Sequence, residues 1–157
     1  MRSFLAKLWR FLHLPRSLQL AIMRFVNGEF LVGVTGIIFD GQGRVLVLEH
    51  TYRRVKWSLP GGYLMPKEHP SEAVEREIME ETGMTVSADS LFKVRTDRET
   101  GRLDMCYIGT YIGGAFRPST EVTGYKFCHF EELPLVLDDQ VLLIKEAMTR
   151  RNAKKST

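Results

Sequence analysis

The chain has 157 residues, a length that builds one domain with a core of useful size. Its composition, 44% hydrophobic and 26% charged, is ordinary for a globular protein and excludes a chain disordered throughout. The net charge of +3 is divided between basic termini and an acidic centre, so the overall basicity is no nucleic-acid footprint and no nucleic-acid partner is expected.

Residues 1–28 interleave apolar and basic side chains. Phe4, Leu5, Leu8, Trp9, Phe11 and Leu12 share one arc of a helical wheel, with Arg2, Lys7, Arg10 and His13 on the other. Pro15 breaks or bends this run before a second helical stretch, Ser17 to Val26, which Asn27-Gly28 closes. Lys7, Arg10, Arg16 and Arg24 interrupt every window long enough to cross a bilayer, and no cleavage site for a signal peptide is evident. The expectation is an amphipathic extension whose apolar face packs on the domain and contributes to a homodimer. Weak contact of residues 1–26 with an anionic membrane surface is the alternative.

Phe30 to Phe39 reads as a strand, Asp40 to Gly43 as a turn and Arg44 to His50 as the returning strand of a hairpin. In the polar connection that follows, Tyr52 can stack a base and Arg53, Arg54 or Lys56 can meet phosphates. Trp57 is either a second stacking surface or a core residue, in a short extended segment set by Pro60.

Gly61-Gly62 delivers the chain into its densest chemistry. Gly62 to Met84 holds six glutamates and one arginine. Pro70-Ser71 suits a helix start, Glu72 favours the positive end of its dipole, and Gly83 suits its end. Ala73, Val74, Ile78 and Met79 can face a core, while Glu77, Glu80 and Glu81, at i, i+3 and i+4, crowd three carboxylates together. Three anions so close repel one another, and a hard divalent cation removes the conflict. Arg76 can reach Glu72, Glu80 or Glu68 and hold the carboxylates in place.

Beyond the glutamates, Leu91 to Thr96 and Leu103 to Tyr111 read as strands around a polar turn, and Val122 to Phe130 as another. Glu131 to Pro134 is a turn or partial helix, Asp138 can cap a final helix over Val141 to Met148, and the basic tail from Arg150 to Thr157 is expected to be loose. Cys106 and Cys128 lie in apolar, alternating stretches without the spacing of a zinc site or a secreted scaffold. They are expected as buried thiols in a reducing cytoplasm. His13, His50, His69 and His129 form no ligand pattern and are expected to be structural or exposed.

The series Gly62, Glu68, Arg76, Glu77, Ile78, Glu80, Glu81, Gly83 and Met84 resembles the signature of the Nudix hydrolases, G-x5-E-x7-R-E-U-x-E-E-x-G-U with U bulky and aliphatic. The resemblance covers about residues 30–148, since Glu121-Val122, Phe127 and Glu132-Leu133-Pro134 are similar to the strand and turn that close such domains. Phe127 stands where the family often has Trp, and Gly124 where it often has an acid. The resemblance implies an α+β fold, a Nudix-like αβα sandwich on a mixed sheet spanning 29–149, with the helical extension at 1–28 and the tail at 150–157. It implies hydrolysis by water of a diphosphate bond in a small-molecule nucleoside diphosphate derivative such as ADP-ribose or a nucleotide sugar. RNA 5′-pyrophosphate removal, nucleoside triphosphate pyrophosphatase activity and nucleotide binding without cleavage are the alternatives. Mg2+ or Mn2+ is the implied cofactor, held by Glu77, Glu81, Glu80 and the Gly61 carbonyl, with Glu68 supporting a second ion through water. Glu81 or Glu121 is the implied general base, and Arg76 completes the catalytic set. The proline or tyrosine that marks particular subfamilies past the signature does not occur in Thr85 to Cys106.

Overall fold

The computed structural model describes residues 15–27, 31–51, 55–97, 101–134 and 137–155. The chain divides after Phe30 into two units. In the first, helix α1 (Arg16–Asn27) starts directly after Pro15, whose carbonyl accepts the amides of Leu18 and Gln19. Pro15 therefore opens this helix, a place where a missing amide costs nothing. The helical stretch expected ahead of Pro15 lies outside the described residues. No helix among the described residues is long and apolar enough to cross a membrane.

The second unit runs β1 (Val32–Phe39), β2 (Val45–His50), β3 (Trp57–Ser58), β4 (Gly61–Tyr63), α2 (Pro70–Thr82), β5 (Thr85–Asp97), β6 (Arg102–Gly113), β7 (Val122–Cys128), a 3-10 turn (Phe130–Glu132) and α3 (Asp138–Lys155). β1 is the centre of a mixed sheet: parallel to β6 along one side, antiparallel to β4 along the other, and joined at its end to β2. β6 carries β5, and β2 carries both β3 and β7. β1 is almost continuously buried, as its unbroken apolar sequence requires of a strand covered on both faces. Val34 and Ile38 pack with Ala73, Val74 and Ile78 of α2, while Ile37 and Phe39 pack with Leu143, Ile144 and Ala147 of α3. One helix thus lies on each face, the αβα arrangement expected from the sequence.

Several boundaries differ. β4 was not anticipated, because two glycines in three residues carry no strand preference. β5 begins at Thr85 instead of Leu91, since the polar Ser87-Ala88-Asp89-Ser90 stretch stays in the sheet through a register shift. β7 stops at Cys128, and Phe130 opens the 3-10 turn. Asp138 and Asp139 form the first turn of α3, so Asp138 is inside the helix and does not cap it. α3 continues to Lys155 through the tail expected to be loose. Its last turns are tied down: Arg150 Nη1 donates to the Phe92 carbonyl at 3.3 Å and the Arg151 guanidinium lies 4.6 Å above the Phe39 ring.

The β1–β2 turn shows how a side chain closes the hairpin. Buried Asp40 accepts the amides of Gln42 and Arg44 at 2.9 Å and the Arg44 guanidinium at 2.7 Å. Burial pushes its pKa up, but the bonds from Arg44 and Gln42 outweigh it and hold the carboxyl below its ordinary 3.8. Asp40→Ala is expected to cost about 2 kcal/mol of stability in urea unfolding. With the folded pKa depressed, Asp40's contribution is present above pH about 4 and is lost as pH falls through the folded value, so wild type and variant should converge in acid.

Both cysteines are free and buried. Burial pushes the Cys106 thiol up to about 12, with the nearby Asp104 carboxylate adding to the effect, and burial raises Cys128 as well. Native protein at pH about 8 is expected to resist iodoacetamide at both sites, and to react at both once unfolded.

Candidate active site

The loop ahead of α2 is set by a tight turn. Pro66 and Lys67 are its central residues, Lys67 has φ 70°, and the Glu68 amide donates to the Met65 carbonyl at 3.3 Å. Proline followed by a positive φ is the type II pattern. The Glu68 carboxylate accepts the Met65 amide at 3.0 Å, which fixes both the loop and the carboxylate. α2 then starts at His69, whose amide donates to Glu72 at 2.9 Å, and stops at Gly83, whose φ of 71° suits glycine. Glu72 is thereby spent on the helix start and is no partner of Arg76.

Ala73, Val74 and Ile78 are buried as expected, but Met79 is turned outward and 44% exposed. Glu81 takes the inner position: seven residues after Val74 and three after Ile78, it falls on the core-facing side and is only 7% exposed. Glu77 is half-buried and Glu80 exposed.

Arg76 ties this face together. Its Nε and Nη2 donate to the two oxygens of Glu68 at 2.6 and 3.1 Å, its Nη1 to Glu77 at 3.0 Å and Glu80 at 3.1 Å, and its Nη2 also to the Tyr63 carbonyl at 3.0 Å. The fork of a guanidinium is what makes so many simultaneous contacts possible. Its hydrogen bond holds the Glu68 carboxyl below the usual range against the opposing effect of burial.

β4 meets the helix from the sheet side. A side chain on Gly62 would fall on the Glu77 carboxylate, and one on Gly61 would strike the Val34 carbonyl. The glycine pair thus permits the close approach in which the Tyr63 amide donates to Glu77 at 3.2 Å. Three carboxylates and a neighbouring main-chain carbonyl are hard oxygen donors of the kind Mg2+ takes, and Tyr63 and Arg76 both bind one oxygen of Glu77, leaving the carboxylate a second to offer. The donor set fits such an ion. Among the described residues no three acidic, imidazole or thiol groups already converge as a finished cage, because Arg76 shares out Glu68, Glu77 and Glu80.

A cleft of about 410 Å³ opens beside β4, bounded by Gly61, Gly62, Tyr63, Arg95, Arg102 and Asp139. The other residues expected in the site stand on other elements. Trp57 on β3 is half-buried with the Lys126 ammonium 4.6 Å from its ring. Glu121 is exposed just ahead of β7, its carbonyl accepting the Thr51 amide at 3.0 Å. Tyr52 and Arg53 lie outside the described residues. Tyr63, Arg95, Arg102 and Asp139 were not anticipated. Asp104, a lone acid amid the apolar alternation of β6, is the signal that could have found them.

Known proteins are similar to this chain in sequence and in fold. The family model described as the NUDIX domain matches residues 29–151. An ADP-ribose pyrophosphatase of Methanocaldococcus jannaschii is 31% identical over 127 residues, 77% of this chain and 75% of that protein. A MutT-like protein of Streptomyces ambofaciens is 32% identical over 102 residues, so the chain spans about two thirds of that relative's length (66%) and the match covers 65% of this chain. The crystal structure of a NUDIX hydrolase from Nitrosomonas europaea superposes with a TM-score of 0.70 at 21% identity, covering 80% of this chain and 74% of that one. A complete signature, its arginine-braced carboxylates, the αβα sandwich around them and the domain match leave one conclusion: the chain belongs to the Nudix hydrolase family.

Proposed function

We propose that the protein hydrolyses a diphosphate bond in a nucleoside diphosphate derivative, such as ADP-ribose or a nucleotide sugar, by attack of water on phosphorus. The observation that carries this reading is the undegraded set of Glu77, Glu80 and Glu81 on one helix, where Arg76 braces Glu77 and Glu80 against Glu68 and Glu81 is buried beside them. A module that only bound nucleotide would have no chemical need of all three helix carboxylates. The M. jannaschii relative supports the substrate class by its name.

Glu77, Glu80, Glu81 and the Gly61 carbonyl would hold Mg2+ or Mn2+, with Glu68 supporting a second ion through water. When bound, such ions neutralise the diphosphate and lower the pKa of an attacking water. The chain's own groups do the rest. Arg76 keeps like charges at fixed separations, which an unbraced helix would splay. Glu81, sheltered from solvent, accepts the proton of the attacking water, with Glu121 as the second candidate. The cleft beside β4 takes the remainder of the substrate. A cytoplasmic site of action suits such a substrate.

Turnover of ADP-ribose, nucleotide sugars, free nucleoside triphosphates and triphosphorylated RNA, each with Mg2+ or Mn2+, tests the reading. Glu81→Gln is expected to lower the rate about a hundredfold or more, and an unchanged rate overturns the assignment. Preference for the RNA would transfer the activity to 5′-end processing. Intact ligand after long incubation would make the protein a binder.

The amphipathic residues 1–28 are assigned to a homodimer contact. Light scattering on a chain lacking residues 1–26 is expected to show loss of the dimer. An unchanged soluble oligomer sinks that assignment, and a full-length monomer that sediments with anionic vesicles moves it to the membrane surface.

A further inference from the structure

The last turns of α3 carry Arg150 and Arg151, and neither reaches a carboxylate within ion-pair distance among the described residues. Each guanidinium is instead held against an aromatic ring of the sheet. Arg150 lies 5.6 Å from the centre of the Phe92 ring, and half-buried Arg151 lies 4.6 Å from that of Phe39, a residue only 1% exposed. An arginine near a helix C-terminus answers the helix dipole wherever its head points. That role requires neither the ring nor the recess beside it.

Arg151 lines two recesses. One, of about 160 Å³, also holds Arg150 and Asp89, a carboxylate that the register shift in β5 sets against Thr110, whose hydroxyl donates to it at 2.7 Å. The other, of about 280 Å³, lies between Phe39, the Gly41 to Gly43 turn, His129, Arg151 and Asn152, and among the described residues no carboxylate lines it. Phe39 stands on β1 about 13 Å along the strand from Thr35, the partner of Gly61, and packs on the α3 side of the sheet. This second recess is therefore separate from the acidic helix.

Its chemistry selects the charge of an occupant. The polar side chains around it are a guanidinium, two carboxamides and an imidazole, all able to donate, and the guanidinium carries a permanent positive charge. Partly removed from water by Phe39 and given no carboxylate, that charge favours an anion. A phosphate monoester suits the guanidinium fork, two N–H groups meeting two oxygens while another oxygen is left for neighbouring donors. We propose that this recess binds the phosphate of a phosphate monoester, gripped by Arg151 and flanked by Gln42 and His129. Two sources carry that group: a soluble sugar or nucleoside phosphate, and the headgroup of phosphatidic acid. The proposal stands apart from the hydrolase reading.

Amide NMR spectra of the full-length protein test it with ribose 5-phosphate as the probe, in the presence of a chelator so that no cation at the glutamates recruits phosphate. The amides of Gly41, Gln42 and Gly43 are expected to shift. Arg151→Gln should weaken the affinity about fivefold or more, while Lys145→Gln, which removes an exposed cation from the same helix, should leave it within about twofold. Gln42→Glu changes an exposed turn residue and sets a carboxylate at the recess, so it should weaken binding as much even if thermal melting shows that Arg151→Gln does not fold. Sedimentation with vesicles of phosphatidylcholine, with and without phosphatidic acid, separates the sources: binding that needs phosphatidic acid and is lost in Gln42→Glu assigns the headgroup. A turn that does not respond to the probe, together with no preference for phosphatidic acid, overturns the proposal. Equal losses in Lys145→Gln and the two recess variants also overturn it, since diffuse charge would then account for the binding.

Discussion

The Arg76 guanidinium is the contact on which the candidate active site depends. Six glutamates in twenty-three residues would disfavour a helix if left to repel, and an exposed ion pair does little to offset that. Arg76 and its partners Glu68 and Glu77 are instead largely shielded from solvent, and the guanidinium serves Glu68, Glu77, Glu80 and the Tyr63 carbonyl together. Loop, helix and edge strand are thereby joined through one side chain. Arg76 thereby fixes where Glu68, Glu77 and Glu80 stand relative to one another.

The sheet distributes the work between its two faces. Toward α2, Gly62 gives up its side chain so that Glu77 can lie against the backbone. Toward α3, Gly33 gives up its side chain so that Arg102 can lie flat between Tyr63 and Asp104. In each case an absent Cβ admits a charged group. The charge then finds a partner at once, as burial in a low dielectric demands.

The acidic half of this arrangement was legible in the sequence because its logic is local. Glu77, Glu80 and Glu81 need only helical periodicity to be brought together, and the caps of α2 are written beside them. Even there, the wheel misplaced Met79 and Glu81, since the sheet decides which side of a helix is inside. The cleft on the other face was illegible for a physical reason. Tyr63, Gly33, Asp104 and Arg95 become neighbours only through strand pairing, parallel in one case, across up to seventy or so residues of chain. The last turns of α3 were missed in the same way: a basic tail reads as solvated until Phe39 and the Phe92 carbonyl are found beneath it.

Three residues long, β4 passes its side chains alternately to the two faces, with Gly62 toward Glu77 and Tyr63 toward Arg102. Its alignment with β1 is therefore a switch with a single correct setting. Sliding by one residue would drive an aromatic ring into the acidic helix and leave a hole where the ring had been. A change of length within Gly61 to Tyr63 would therefore upset both faces at once.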